Sequence, residues 1–253
     1  MSNSKVALVT GGSRGLGKDM AIQLAKKSFD VIITYHSKKD EALKVVTEIE
    51  NLGQKALAIQ LDVANTSSFD TFIQTLSDQL SEKFQADQIN SLVNNAGVGV
   101  YAPVASTTED QFDNMVNIHL KAPFFLSKKL LPLIADGGSI VNISSGLTRF
   151  SYNGYASYAI MKAAVESFSR YLALELGARK IRVNTVAPGA IETDFGGGAV
   201  RDNKDLNQMI AGQTALGRVG LPDDIGGVVA FLCSEDAKWV NAQRIEVAGG
   251  VHI

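Results

Sequence analysis

Val6-Ala7-Leu8-Val9-Thr10-Gly11-Gly12-Ser13-Arg14-Gly15-Leu16-Gly17 is a short β-rich apolar run that breaks into glycine and then opens a helical pattern. Glycine in such a turn permits positive φ and lets backbone come close to a phosphate. The helix behind it offers free N–H groups to the same anion. A glycine string alone says little. With a strand before it and a helix after it, at the first βα junction, it points to dinucleotide binding through Gly11, Ser13, Arg14, Gly15, Leu16 and Gly17. The spacing is TGxxxGxG, not the commoner GxGxxG.

Outward from this turn the pattern repeats. Runs at 6–10, 31–35, 56–61, 91–94, 139–143, 181–186 and 244–247 read as seven strands. They are mostly apolar, not alternating, as expected for a parallel sheet covered on both faces. Helical spacing fills 17–27, 40–52, 67–83, 110–133, 158–176 and 222–233. The expected fold is therefore α/β: a Rossmann-like, doubly wound, seven-stranded parallel sheet flanked by helices. No linker or repeat divides the chain, so 1–253 reads as one dinucleotide-binding and catalytic domain. Its one flexible-looking stretch, Phe195-Gly196-Gly197-Gly198-Ala199, follows the sixth strand and marks 190–215 as a candidate substrate lid.

The second strand ends in Thr34-Tyr35-His36-Ser37-Lys38-Lys39, with no acid before Asp40. A carboxylate there would hold the ribose hydroxyls of NAD and repel a 2′-phosphate. Arg14, His36, Ser37 and Lys38 supply positive charge and donors instead, so NADP(H) is the expected cofactor, favoured over NAD(H).

A net charge of −2 excludes the basic stripe that nucleic acid or an anionic membrane surface requires. No run approaches the roughly 18 apolar residues of a membrane span. The amino terminus shows no secretory signal, and the single Cys233 permits no internal disulfide; both fit the cytoplasm. Cys233 sits in an apolar run and reads as a small hydrophobe, not as a catalytic thiol. His36, His119 and His252 form no ligand-spaced cluster, so no metal is expected.

Tyr158 and Lys162 lie four apart, on one face of a helix. A cation beside a phenol, together with an oxidised nicotinamide, would favour the phenolate and bring a pKa near 10 toward useful values. The pair is cheap by itself, since Tyr35 and Lys39 repeat it across a strand end. Context separates the two: Ser145, thirteen residues before Tyr158, stands at the end of the fifth strand and can hold a carbonyl oxygen, with Ser144 as the alternative.

These residues together resemble the short-chain dehydrogenase/reductase family, in its compact single-domain branch, over essentially the whole chain. The resemblance implies that Asp62 and Val63 meet the adenine, that the segment Asn94-Asn95-Ala96-Gly97 braces the fourth strand, with Asn94, Ala96 and Gly97 among the cofactor contacts, and that Pro188, Gly189, Ile191 and Thr193 reach the nicotinamide. It implies that Ser145 polarises the substrate oxygen, Tyr158 donates the proton, and Lys162 lowers the tyrosine pKa and binds the ribose. The family usually adds a relay asparagine. Aligning Leu120-Lys121-Ala122 and Phe124 without gaps puts His119 at that position, with Asn117 as the alternative. Homodimers or homotetramers pairing the helices at 110–133 and 158–176 are implied too, with the terminal Val251-His252-Ile253 as a candidate for a second interface.

The expected activity is an NADP(H)-dependent hydride transfer between nicotinamide and a small-molecule carbonyl or alcohol, with Leu147, Phe150, Asn153 and Phe195 as candidate pocket residues. The nearest well-known relatives in the family reduce 3-oxoacyl groups on acyl carrier protein. That alternative wants basic residues for an acidic partner; Arg179 falls at one such place, but Asp136 falls at another. A nucleotide-sensing protein without turnover is the third reading, and intact Ser145, Tyr158 and Lys162 count against it.

Overall fold

The computed structural model describes residues 5–253; the signal-free start read above falls partly on 1–4, outside the described residues. Seven strands form one sheet: β1 (Lys5–Val9), β2 (Phe29–Tyr35), β3 (Ala56–Gln60), β4 (Ile89–Asn94), β5 (Ile134–Ile143), β6 (Arg182–Pro188) and β7 (Arg244–Val247). Their order is β3-β2-β1-β4-β5-β6-β7, and every neighbouring pair is parallel. This is the expected Rossmann-like architecture. The winding direction reverses between β1 and β4, which opens a crevice at the carboxyl ends of those strands.

Successive residues of β1 serve opposite faces. Val9 joins Ile33, Met20, Leu24, Ile225 and Val229 on one side. Leu8 joins Ile32, Phe69, Leu76, Leu126 and Leu172 on the other. With both faces buried, alternation of polar and apolar residues disappears, and the strands read as continuous apolar runs. Truncating a fully buried residue such as Leu8 to alanine costs about 2–5 kcal/mol.

The first face is covered by α1 (Gly15–Lys26) and α2 (Lys39–Asn51), the second by α3 (Phe69–Gln79). The helix expected at 110–133 is not continuous. It comprises α4 (Glu109–Val116), a π-helical turn at Asn117–Lys121, α5 (Ala122–Leu130) and a 3-10 end at Leu131–Leu133. Pro123 has no N–H to give to the carbonyl four residues earlier, that of His119, so the ladder is broken at this turn. The stretch expected at 67–83 is interrupted too, by a 3-10 start at Thr66–Ser68 and a π turn at Leu80–Phe84.

Thr108 opens α4 with a reciprocal capping box to Gln111. α6 (Ala156–Glu175) begins two residues before Tyr158, placing that tyrosine in its first turn. Short helices α7 (Ala199–Asp202) and α8 (Lys204–Gly212) follow β6, and α9 (Asp223–Cys233) returns to the first face. Cys233 is buried, and that burial pushes its thiol up, as suits a packing residue.

Candidate active site

The glycine turn sits at the end of β1 in the crevice. Gly11 has φ +66°, and a Cβ at Gly17 would lie 2.2 Å from the Gly11 carbonyl oxygen, so only glycine allows α1 to start this close to the turn. The first turn of α1 has no side-chain cap and no acidic residue. Its leading N–H groups and positive dipole end are left for an anion. This cradle fits the pyrophosphate of a dinucleotide. Ser13 is half-buried at its rim, and Leu16 packs beneath it.

Two residues outside the expected set hold the cradle. Asn95 donates through Nδ2 to the carbonyls of Thr10 (2.8 Å) and Gly11 (3.2 Å), and Thr10 Oγ1 accepts from the N–H groups of Asn95 and Ala96. The Asn94-Asn95 doublet was visible in the sequence, but which member faces the turn depends on strand phase. Asn94 points the other way, donating to Asn142 Oδ1 (2.7 Å) and Ser127 Oγ (3.0 Å) inside the sheet. These bonds brace β4 from within, with the Asn94 side chain turned away from the glycine turn. Gly97 lies against the His119 ring: a Cβ there would be 2.7 Å from Cε1.

On the β2 side His36 is exposed and stands 3.9 Å from Asp62, so two residues assigned to the nucleotide meet here. Arg14 points across the crevice, its guanidinium 3.2 Å from Asp194. Ser37 and Lys38 are exposed just beyond His36. Pro188 and Gly189 continue β6 beside β7, Ile191 pairs with Gly220, and the Thr193 methyl lies 3.5 Å from where a Gly15 Cβ would be. The turn and the 188–193 segment therefore face each other across one cleft.

Ser145, Tyr158, Lys162 and His119 converge at the centre, and all are buried. Lys162 Nζ donates to the Ile143 carbonyl (2.8 Å) and lies 5.4 Å from the Tyr158 ring centre. The His119 and Tyr158 rings meet edge-on at 5.1 Å. Burial pushes the Tyr158 phenol well above its ordinary value, and the Ser145 hydroxyl opposes that rise. Burial also lowers Lys162 to about 7. Without the oxidised nicotinamide, whose positive charge is the other half of the expected effect on the phenol, burial sets the direction at both groups.

Ser144, the alternative to Ser145, is committed elsewhere. It donates to Glu166 at 2.6 Å and its N–H bonds Val186 O.

His119 occupies the middle of the π turn. Its Nε2 lies 2.7 Å from Val98 O. A carbonyl only accepts, so Nε2 carries the hydrogen and Nδ1 keeps its lone pair. That Nδ1 is buried without a hydrogen-bond partner among the described residues. Burial, and then the charge of Lys162, lower the imidazole to about 3. Beside it is a cavity of about 20 Å³ lined by His119, Lys162, Asn94, Thr10, Val63 and Ile143 among others, room for one water. The alternative Asn117 opens the same π turn, two positions before His119.

Of the candidate pocket residues, Leu147 packs with Met115, Tyr158 and Met161, and the Phe195 ring lies 5.6 Å from that of Tyr158. Phe150 belongs to a different cluster, against Tyr152 and His252, and Asn153 is exposed. His252 Nε2 also meets Tyr152 Oη at 3.0 Å. Among the described residues no three His, Cys, Asp or Glu side chains gather as a metal site, and no helix is long and apolar enough to cross a membrane.

A family model described as enoyl-(acyl carrier protein) reductase matches residues 11–252. The chain is 36% identical to the hydroxynaphthalene reductase-like protein Arp2 of Metarhizium brunneum (strain ARSEF 3297), over 97% of this chain and 94% of that one. Among solved structures, the reductase LugOII, which catalyses keto-reduction at C1 during lugdunomycin biosynthesis, superposes with a TM-score of 0.92 at 34% identity, covering 97% and 96% of the two chains. The angucycline C-6 ketoreductase LanV with bound NADP superposes with a TM-score of 0.92 at 35% identity, covering 97% and 95%. With the fold and the cleft in place, these likenesses over nearly the whole length settle the matter: the chain belongs to the short-chain dehydrogenase/reductase family and is an NAD(P)-dependent oxidoreductase acting on carbonyl or hydroxyl groups.

Proposed function

We propose that this protein is an NADPH-dependent ketoreductase of cyclic or aromatic ketones, running in reverse as a secondary alcohol dehydrogenase. One observation carries the reading: Ser145, Tyr158, Lys162 and His119 are brought from the loop after β5, from α6 and from the π turn to one buried point at the mouth of the phosphate cradle. Relatives support the cofactor and substrate class, since LanV was solved with NADP and again with NADP and rabelomycin.

When bound, the dinucleotide supplies the hydride. Gly11, Ser13, Gly15, Leu16 and Gly17 hold its pyrophosphate, Arg14, His36 and Ser37 its 2′-phosphate, and Asp62 and Val63 its adenine. Asn94, Ala96 and Gly97 shape the floor of the cleft, and Pro188, Gly189, Ile191 and Thr193 meet the nicotinamide. Ser145 donates to the ketone oxygen and holds it near the phenol. Tyr158 gives that oxygen its proton. Lys162 steadies the phenolate left behind, and its charge is worth most when the site is closed to water. His119, neutral through the physiological range, accepts a hydrogen from a water in the small cavity beside Lys162 and so orients the outer end of the proton path.

The segment 190–215 serves as the substrate lid. Gly196, Gly197 and Gly198 all have φ between +61° and +78°, and Phe195 caps the Tyr158 ring from this segment. Leu147 and Phe195 form the apolar walls, with Phe150 and Asn153 farther out. Against the acyl-carrier alternative, Arg179, the basic residue at an expected place, is paired with Asp136 at 2.7 Å and bonds the Leu131 carbonyl. Exposed Phe124, Phe125, Tyr171 and Leu174 on α5 and α6 support assembly as a homodimer or homotetramer, which light scattering reads directly.

The test is NADPH oxidation with a panel of bicyclic and polycyclic ketones, in the parent and in Tyr158→Phe, with cofactor binding followed by fluorescence. Turnover abolished with binding retained is expected. A fully active phenylalanine variant, or binding with no turnover across the panel, removes the reading.

A further inference from the structure

Tyr158, Lys162 and Glu166 are spaced four apart on α6 and form one stripe along its inner side. The first two reach the reacting centre. Glu166 is 13% exposed, and its Oε1 accepts from Ser144 Oγ (2.6 Å), Thr148 Oγ1 (2.8 Å) and Arg244 Nε (2.7 Å). Arg244 then donates through Nη2 to the Ser145 carbonyl (3.3 Å) and to Thr148 Oγ1 (3.0 Å). Thr148 Oγ1 is also 3.0 Å from the Ser145 carbonyl, within reach of its single hydrogen.

Ser145 lies just past the last residue of β5, where no ladder fixes it, and its role demands a position held to within about 0.5 Å. The contacts above grip it on both sides: the Ser144 side chain before it, its own carbonyl and Thr148 after it. Arg244 is held from behind by Glu246 (2.9 Å), which Arg149 also clasps at 2.7 Å. Arg149 in turn bonds the Val251 and His252 carbonyls. None of these groups touches the reacting atoms.

We infer that Glu166, backed by Arg244, is a positioning residue that fixes Ser145 to the same helix that carries Tyr158 and Lys162. One rigid element thereby sets the mutual placement of all three. The inference rests on the ketoreductase reading for its kinetic consequences, but not for its geometry. A carboxylate serving only to anchor the carboxyl-terminal strand would leave Ser145 where it is.

The experiment is a double-mutant cycle. Glu166→Ala lowers kcat roughly 10- to 100-fold, the scale expected for a misplaced catalytic group, while the Kd for NADPH stays within twofold of the parent. Added to Ser145→Ala, it lowers kcat by less than about twofold, because its effect runs through Ser145. The pH profile of alcohol oxidation shifts upward in Glu166→Ala, as in Ser145→Ala, since the serine hydroxyl no longer opposes the raised phenol. Glu166→Gln, which keeps an acceptor oxygen, recovers most of kcat and serves if the alanine variant does not fold. Full additivity with Ser145→Ala, or an unchanged kcat in Glu166→Ala, overturns the inference. Crystal structures of the parent and the variant separate this failure from that of the ketoreductase reading. A Ser145 hydroxyl unmoved against Tyr158 overturns the inference even if no ketone is turned over, and a displaced one supports it.

Discussion

The two halves of the cleft work by different physics. On the β1–β3 side, the cleft is lined by the glycine turn, the uncapped start of α1 and exposed side chains such as Arg14 and His36. On the β4–β6 side, Tyr158, Lys162 and His119 are buried, and burial is the first cause of each displaced pKa. In the proposed function, binding is entrusted to chain geometry and solvated charge, and proton chemistry to desolvation.

The largest expected effect tests the buried half. Tyr158→Phe removes the proposed proton donor and lowers kcat about 10²–10⁴-fold, with little change in NADPH affinity. A comparable loss of affinity would show that the halves are not separable. On the open half, Gly17→Ala forces a Cβ to within 2.2 Å of the Gly11 carbonyl. Strain of this kind costs about 1–3 kcal/mol, read as a lower Tm together with weaker NADPH binding. Arg14→Ala removes a charged contact worth about 1.5–3 kcal/mol, so NADPH binding weakens roughly 10- to 100-fold while NADH binding is unchanged. Equal losses for both cofactors would refute the 2′-phosphate assignment.

Smaller effects sharpen the contrast through pH. Lys162 titrates at about 7 in the fold against 10.5 ordinarily, so the unfolded chain holds the extra proton between those values and stability rises with pH across that window. Lys162→Met removes this slope. Its Tm exceeds that of the parent most at or below pH 7, and the gap narrows toward pH 10.5; a constant gap would contradict the burial argument. His119 titrates at about 3 against 6.5, so stability contributed by its neutral form falls as pH drops from 6.5 toward 3. His119→Asn flattens that acid limb, and superimposable Tm curves from pH 7 to 4 would show that His119 is solvated.

Much of this was legible in the residues. The strand–turn–helix around Gly11 and Gly17 required no tertiary information, because local sterics decide it. The continuous apolar runs of the strands announced a sheet covered on both faces. Periodicity reads 110–133 as one unbroken helix, since it does not show where Pro123 deletes a hydrogen bond. The Asn94-Asn95 doublet is plain in the sequence, but adjacent strand residues point to opposite faces and only the assembled sheet says which of the two meets the turn. Glu166 carried no motif at all. Its partners Ser144, Thr148 and Arg244 lie 18 to 78 residues away in the chain.

The sequence by itself therefore determined the class of fold, the glycine turn and the helical pairing of Tyr158 with Lys162, since each rests on short-range spacing; it left Ser144 open beside Ser145. Only the tertiary structure decided the protonation of that centre, the tautomer of His119 and the framework that holds Ser145. Those depend on burial and on contacts between distant segments, which come into being when the chain closes on itself and excludes water.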